Sequence, residues 1–94
     1  MTTKEVRNDG QMTGGIIEID VHGKNTEEAK KAINMQIHSA GKGIYRIRVI
    51  HGYNGGTRIR SMLREEYGYG REPAVKRIEM GDNQGITELV IREF

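Results

Sequence analysis

Two apolar stretches of period two flank one amphipathic segment, and that order constrains the fold more than any other feature of the chain. From Ile17 the run Ile17-Glu18-Ile19-Asp20-Val21 alternates apolar and acidic residues, as a strand with one buried face does. Tyr45, Ile47 and Val49 repeat the pattern, with Arg46 and Arg48 turned the other way. Between them, Ala29, Ala32, Ile33, Gln36, Ile37 and Ala40 recur at helical spacing, so one stripe is mostly apolar. Asn25 and Glu28 stand where a capping box needs them, and Gly41 and Gly43 close the segment. A strand–helix–strand unit of this kind joins parallel strands by a right-handed crossover.

The rest of the chain extends this unit. A second helix is expected from near Thr57, with Ile59, Met62, Leu63 and Tyr67 on its apolar stripe. Gly68 and Gly70 end it and Pro73 prevents continuation. Val75 to Met80 and Ile86 to about Arg92 read as two more strands, joined through the turn-forming residues 81–85 as an antiparallel hairpin. The expected order is β-α-β-α-β-β: an α/β chain in the broad sense, an α+β two-layer sandwich with a four-stranded mixed sheet. Both helices should lie on one face, leaving the other wet, because the strands alternate instead of running continuously apolar. Residues 1–15 are polar, lack periodicity and read as a disordered tail, which places the domain at 16–94.

Composition narrows the class. Ninety-four residues make one domain, and the absence of cysteine removes disulfides and thiolate metal sites. No apolar run approaches the roughly 20 residues of a membrane span, and the N-terminus lacks an apolar signal region. A cytoplasmic monomer with no membrane partner is the expectation. The net charge of +2 is small, but residues 42–77 carry nine Lys/Arg against three Asp/Glu, while 78–94 carry one against four. A basic middle third is the footprint of a phosphate-binding surface, or of a solvated face laced with ion pairs.

In a parallel unit the carboxyl ends of both strands reach the same sheet edge, where ligand sites of α/β folds gather. Here one strand ends in Asp20-Val21-His22-Gly23 and the other in His51-Gly52, so two His-Gly pairs should arrive together. His22 and His51 can each act as a general acid–base group, or each can be a structural histidine tying down a strand end. Asp20 can orient a histidine or hold a divalent ion, Mg or Mn; no cofactor is evident beyond that. The loop Gly52-Tyr53-Asn54-Gly55-Gly56 feeds the helix at Thr57, whose first turn carries Arg58 and Arg60 instead of acids. Basic residues are mildly unfavourable at a helix N-terminus, which a bound phosphate would offset. Tyr53 can stack on a base or pack on its own loop. The loop has no P-loop Lys-Ser/Thr pair, and the chain has no HExxH spacing.

Taken together, Ile19-Asp20-Val21-His22-Gly23 and His51-Gly52-Tyr53-Asn54-Gly55-Gly56 resemble the two hallmarks of the Smr (small MutS-related) domain. These are a Leu-Asp-Leu-His-Gly strand end and a later His-Gly-x-Gly-x-Gly loop opening a helix. Ile19 and Val21 stand for the leucines, and Asn54 occupies a typical glycine position in a loop one residue longer. The resemblance spans about residues 16–94. It implies a βαβαββ fold similar to the C-terminal domain of translation initiation factor three. It also implies DNA or RNA binding and, in some members, endonuclease or nicking activity. By position, Asp20, His22, His51, Gly52, Gly56 and Arg60 would carry the motif roles. Three functions follow as expectations: a nuclease on DNA or RNA; a non-catalytic binding module for nucleic acid, the ribosome or a larger DNA-processing protein; and, more weakly, a small-molecule phosphate site.

Overall fold

The structure is a computed structural model that describes residues 11–53 and 57–92. Seven elements follow in order: β1 (Gln11–Thr13), β2 (Ile16–Asp20), α1 (Thr26–Ser39), β3 (Arg46–Ile50), α2 (Thr57–Tyr67), β4 (Arg77–Met80) and β5 (Ile86–Val90). The strands form one mixed sheet in the order β1-β2-β3-β5-β4. β2 and β3 are parallel, with Ile17 opposite Ile47 and Ile19 opposite Val49. β5 runs antiparallel to both β3 and β4. The four strands and two helices expected from the periodicities are therefore present, in the expected parallel and antiparallel pairings.

The sheet also has a fifth strand, in a stretch that reads from sequence as tail. Gln11–Thr13 pairs antiparallel with β2, Met12 opposite Ile17. Its turn is Gly14-Gly15, with φ of +59° and +86°, as a two-residue hairpin loop of the primed type requires. A side chain on Gly15 would also meet the Gly43 carbonyl and the Tyr45 ring at 2.8 Å. A run of three residues is too short to establish alternation, so only the Gly-Gly pair signals the hairpin. Residues 1–10, the remainder of the expected tail, lie outside the described residues.

α1 forms where the capping box places it. The Glu28 N–H donates to Asn25 Oδ1 at 2.8 Å and the Asn25 N–H donates to Glu28 Oε1 at 3.1 Å. Ala29, Ile33 and Ile37 of α1 join Ile59, Leu63 and Tyr67 of α2 against Ile17, Ile19, Ile47, Val49 and Leu89 of the sheet. One aliphatic core thus puts both helices on the same sheet face. Tyr67 closes it by donating its hydroxyl to Asn34 Oδ1 at 2.6 Å; burial, with Glu66 and Glu72 nearby, pushes its pKa up to about 12.

The opposite face carries charge. Arg46 donates to Glu88 at 2.6 Å and Glu79 at 2.9 Å, and Arg48 donates to Glu88 at 3.0 Å and to Glu18 at 3.5 Å. Arg77 also reaches Glu79, at 2.8 Å. The lattice crosses from β2 to β4 and uses up much of the basic excess seen along the sequence. Among the described residues no helix is long and apolar enough to cross a membrane.

Candidate nucleic-acid site at the carboxyl edge of the parallel strands

The parallel pairing of β2 and β3 brings the two His-Gly pairs to one edge. Beyond β2 the Val21 N–H donates to the Ile50 carbonyl at 2.9 Å, so the strands stay zipped up to the site. A side chain on Gly52 would stand 3.8 Å from His22 Cβ. The loop before β5 closes the same edge, its Gly85 carbonyl accepting from the His51 and Gly52 N–H groups at 2.9 and 3.0 Å.

His22 and Asp20 form an exposed pair. Nδ1 of His22 lies 2.5 Å from Asp20 Oδ1, which also accepts the His22 backbone N–H at 3.0 Å. A carboxylate only accepts, so Nδ1 carries a proton, and in the neutral tautomer that this bond selects Nε2 keeps its lone pair. Nε2 has no partner among the described residues. Burial alone would raise the Asp20 pKa; the two hydrogen bonds from His22 outweigh it and hold the carboxyl below its ordinary value. This is the carboxylate–imidazole arrangement that fixes a tautomer and leaves one nitrogen for proton transfer.

His51 differs. It follows Ile47 and Val49 on the buried face and is only 2% exposed. Nδ1 lies 3.0 Å from the Gly52 carbonyl and Nε2 lies 2.9 Å from Thr87 Oγ1. A carbonyl can only accept, so Nδ1–H donates and Nε2 accepts the Thr87 hydroxyl. Burial pushes the His51 pKa down, the Gly52 carbonyl opposes this, and the Arg60 charge adds to the depression. His51 is therefore a neutral imidazole with both nitrogens engaged.

Beside these residues lies a recess of about 220 Å³ lined by Gly52, Tyr53, Thr57, Arg60 and Gln84. Tyr53 is exposed, and the Thr57 hydroxyl makes only a long 3.5 Å contact with the Tyr53 carbonyl. No acidic residue occurs in the first turn of α2, whereas α1 carries Glu27 and Glu28 there. Arg58 is not at this recess. It lines the cleft between the helices with Lys30 and Glu65, because two residues along a helix point to different sides. Asn54, Gly55 and Gly56 lie outside the described residues. Gln84 is a residue the sequence reading missed; in a turn-forming run it looks like any other polar loop position. Thr87 likewise reads from sequence only as a strand residue, although the parity that buries Val49 also buries His51 and calls for a polar partner.

Asp20 and His22 supply one carboxylate and one imidazole. No group of three or more His, Asp or Glu side chains able to hold a metal ion occurs among the described residues. The donor set does not by itself make a metal centre.

Comparisons with known proteins place the chain by family and fold. The model of the Smr domain family matches residues 19–86, so the chain belongs to that family, one generally linked to nucleic-acid binding and nuclease function. Its fold is similar to the crystal structure of the Smr domain of Thermus thermophilus MutS2, with a TM-score of 0.70 and 23% identity over 81% of this chain and 98% of that one. No curated protein matches the chain.

Proposed function

We propose that this domain binds DNA or RNA at the edge recess and hydrolyses a phosphodiester bond there. The observation that carries the reading is the exposed Asp20–His22 pair, with His22 Nε2 unpartnered among the described residues and His22 Cβ 3.8 Å from where a side chain on Gly52 would stand; Gly52 lines the recess that holds Arg60. In this reading Arg60 and the Thr57 hydroxyl hold the phosphate, with Gly52 letting the backbone approach it. Arg58 adds long-range attraction from the neighbouring cleft. His22 Nε2 takes a proton from a water molecule as the water oxygen bonds to phosphorus. The opposite P–O ester bond breaks, and its oxygen takes a proton from solvent. Asp20 holds the imidazole in the Nδ1–H tautomer and stabilises the imidazolium that forms. Arg60 stabilises the charge that builds on the phosphorane oxygens. His51 serves by fixing the loop that carries Gly52 and Tyr53.

The test is cleavage of supercoiled plasmid and of structured RNA, with and without Mg²⁺, by the wild type and His22→Ala. Loss of a general base lowers the rate by about 10²–10⁴-fold. Binding should persist in the variant. Cleavage undiminished in His22→Ala would sink the assignment. A second reading is a binding module without hydrolysis. It is favoured by the engagement of both His51 nitrogens, which leaves a single imidazole for chemistry. Binding without cleavage under every condition would establish it.

A further inference from the structure

Sorting the arginines by partner separates one helix from the rest of the protein. Arg46, Arg48, Arg71 and Arg77 each lie within 4.0 Å of a carboxylate, and Arg92 donates to the Gly41 and Ile44 carbonyls. Arg58, Arg60 and Arg64, all on α2, reach no carboxylate among the described residues. Arg60 and Arg64 stand one turn apart and line a groove of about 270 Å³ between α2 and β4. Ile78, Met80 and Thr87 form its other side, and it adjoins the edge recess through Arg60 and Gln84, which line both. An exposed apolar side chain stands in each hollow: Tyr53 at 58% exposure in the recess and Met80 at 69% in the groove. Glu79 also borders the groove, but strand parity turns its carboxylate to the opposite sheet face, where Arg46 and Arg77 hold it.

We propose that the recess and groove together form a track for one unpaired nucleic-acid strand. Arg60 and Arg64 take neighbouring phosphates, and Tyr53 and Met80 lie against bases at the two ends. The proposal rests on the nucleic-acid reading of the recess and specifies the form of ligand that reaches His22. The exposed side chains favour a single strand over a duplex. Apolar side chains standing clear of the surface gain by covering base faces, and those faces are open only when bases are unstacked. Thioether and phenol both suit such contacts. Guanidinium groups without carboxylate partners give up no ion pair when they meet phosphate.

The test is fluorescence anisotropy with a labelled single-stranded oligonucleotide and with the blunt duplex of the same sequence, over a series of salt concentrations. The proteins are the wild type, Arg64→Ala, Met80→Ala and, as a control from the opposite face, Arg77→Ala. The wild type should prefer the single strand. Arg64→Ala should weaken single-strand binding and reduce its log K against log salt slope by about 0.7, the value for one neutralised phosphate. Met80→Ala should weaken single-strand binding about three- to tenfold without changing that slope. Arg77→Ala should change neither. Wild-type binding with an unchanged slope in Arg64→Ala, or with equal or tighter binding to the duplex, overturns the track and leaves the nucleic-acid reading standing. A wild type that binds neither oligonucleotide removes both.

Discussion

His22-Gly23 follows β2 and His51-Gly52 follows β3, and the two pairs share a backbone shape, with glycine φ of +83° and +84°. Their histidines sit in opposite environments. The His22 side chain is 72% accessible and touches one carboxylate, whereas His51 is 2% exposed and bonds on both sides. The difference comes from parity. His51 falls on the side of β3 that already buries Ile47 and Val49, while Asp20 and His22 extend the side that carries Glu18. The same dipeptide thus supplies an exposed ring in one place and a loop anchor in the other. With one exposed and one buried imidazole at this edge, the buried one holds the loop beside the exposed one.

Substituting each histidine should therefore separate stability from chemistry. His51→Ala removes a packed ring and strands the Thr87 hydroxyl and the Gly52 carbonyl, a loss of about 2–4 kcal/mol by the usual sum of cavity and unsatisfied-group terms. His22→Ala breaks an exposed pair and should cost no more than about 0–1 kcal/mol. Urea denaturation with constant m-values checks both. Equal losses would erase the distinction between anchor and exposed ring.

The glycines after the two histidines sharpen the comparison at a smaller scale. A side chain on Gly23 would meet nothing within 4 Å, and one on Gly52 would meet only His22 Cβ at 3.8 Å. Neither site is sterically closed, so Gly23→Ala and Gly52→Ala should each cost only the left-handed backbone penalty, about 1–2 kcal/mol. The two losses should agree within experimental error in the same urea assay. A much larger loss at Gly52 would mean that its environment is tighter than that at Gly23.

How much of this was legible in the sequence differs between elements and site. Period two and period 3.6 located four strands and both helices, because each buries one face against a single core. Asn25 and Glu28 located the start of α1 for the same local reason. The strand at Gln11–Thr13 was not legible, since three residues are too few to establish a period of two. Two His-Gly pairs at one edge were legible from topology alone, and their meeting is seen where a side chain on Gly52 would stand 3.8 Å from His22 Cβ. The division of labour between His22 and His51 was not drawn from the sequence, although the parity of Tyr45, Ile47 and Val49 contained it. The charge pattern misled in part. Arg46, Arg48 and Arg77 belong to the basic middle third, but the sheet pairs them with Glu18, Glu79 and Glu88 from the flanking thirds. Of the arginines in that third, those that reach no carboxylate among the described residues are the α2 set, a distinction that needs the register of β3 against β5.

The finest test of the comparison is pH. The His51 pKa is depressed in the folded protein, chiefly by burial, with the Arg60 charge adding to it. In the unfolded chain the same ring titrates near 6.5. Below that value the unfolded chain binds a proton that the native state resists, so the contribution of His51 to stability is full above about pH 6.5 and declines as pH falls. The slope is at most about 1.4 kcal/mol per pH unit, one proton's linkage. The Asp20 carboxyl is also depressed, but its contribution falls away only as pH enters the ordinary carboxylate range near 4. Urea midpoints measured between about pH 7 and pH 5 therefore isolate His51 from Asp20. His51→Gln keeps an amide able to donate and accept and should flatten the profile across that window. His22→Gln, a change confined to the exposed pair with Asp20, should leave the slope in place. A profile flattened by His22→Gln and untouched by His51→Gln would reverse the two roles.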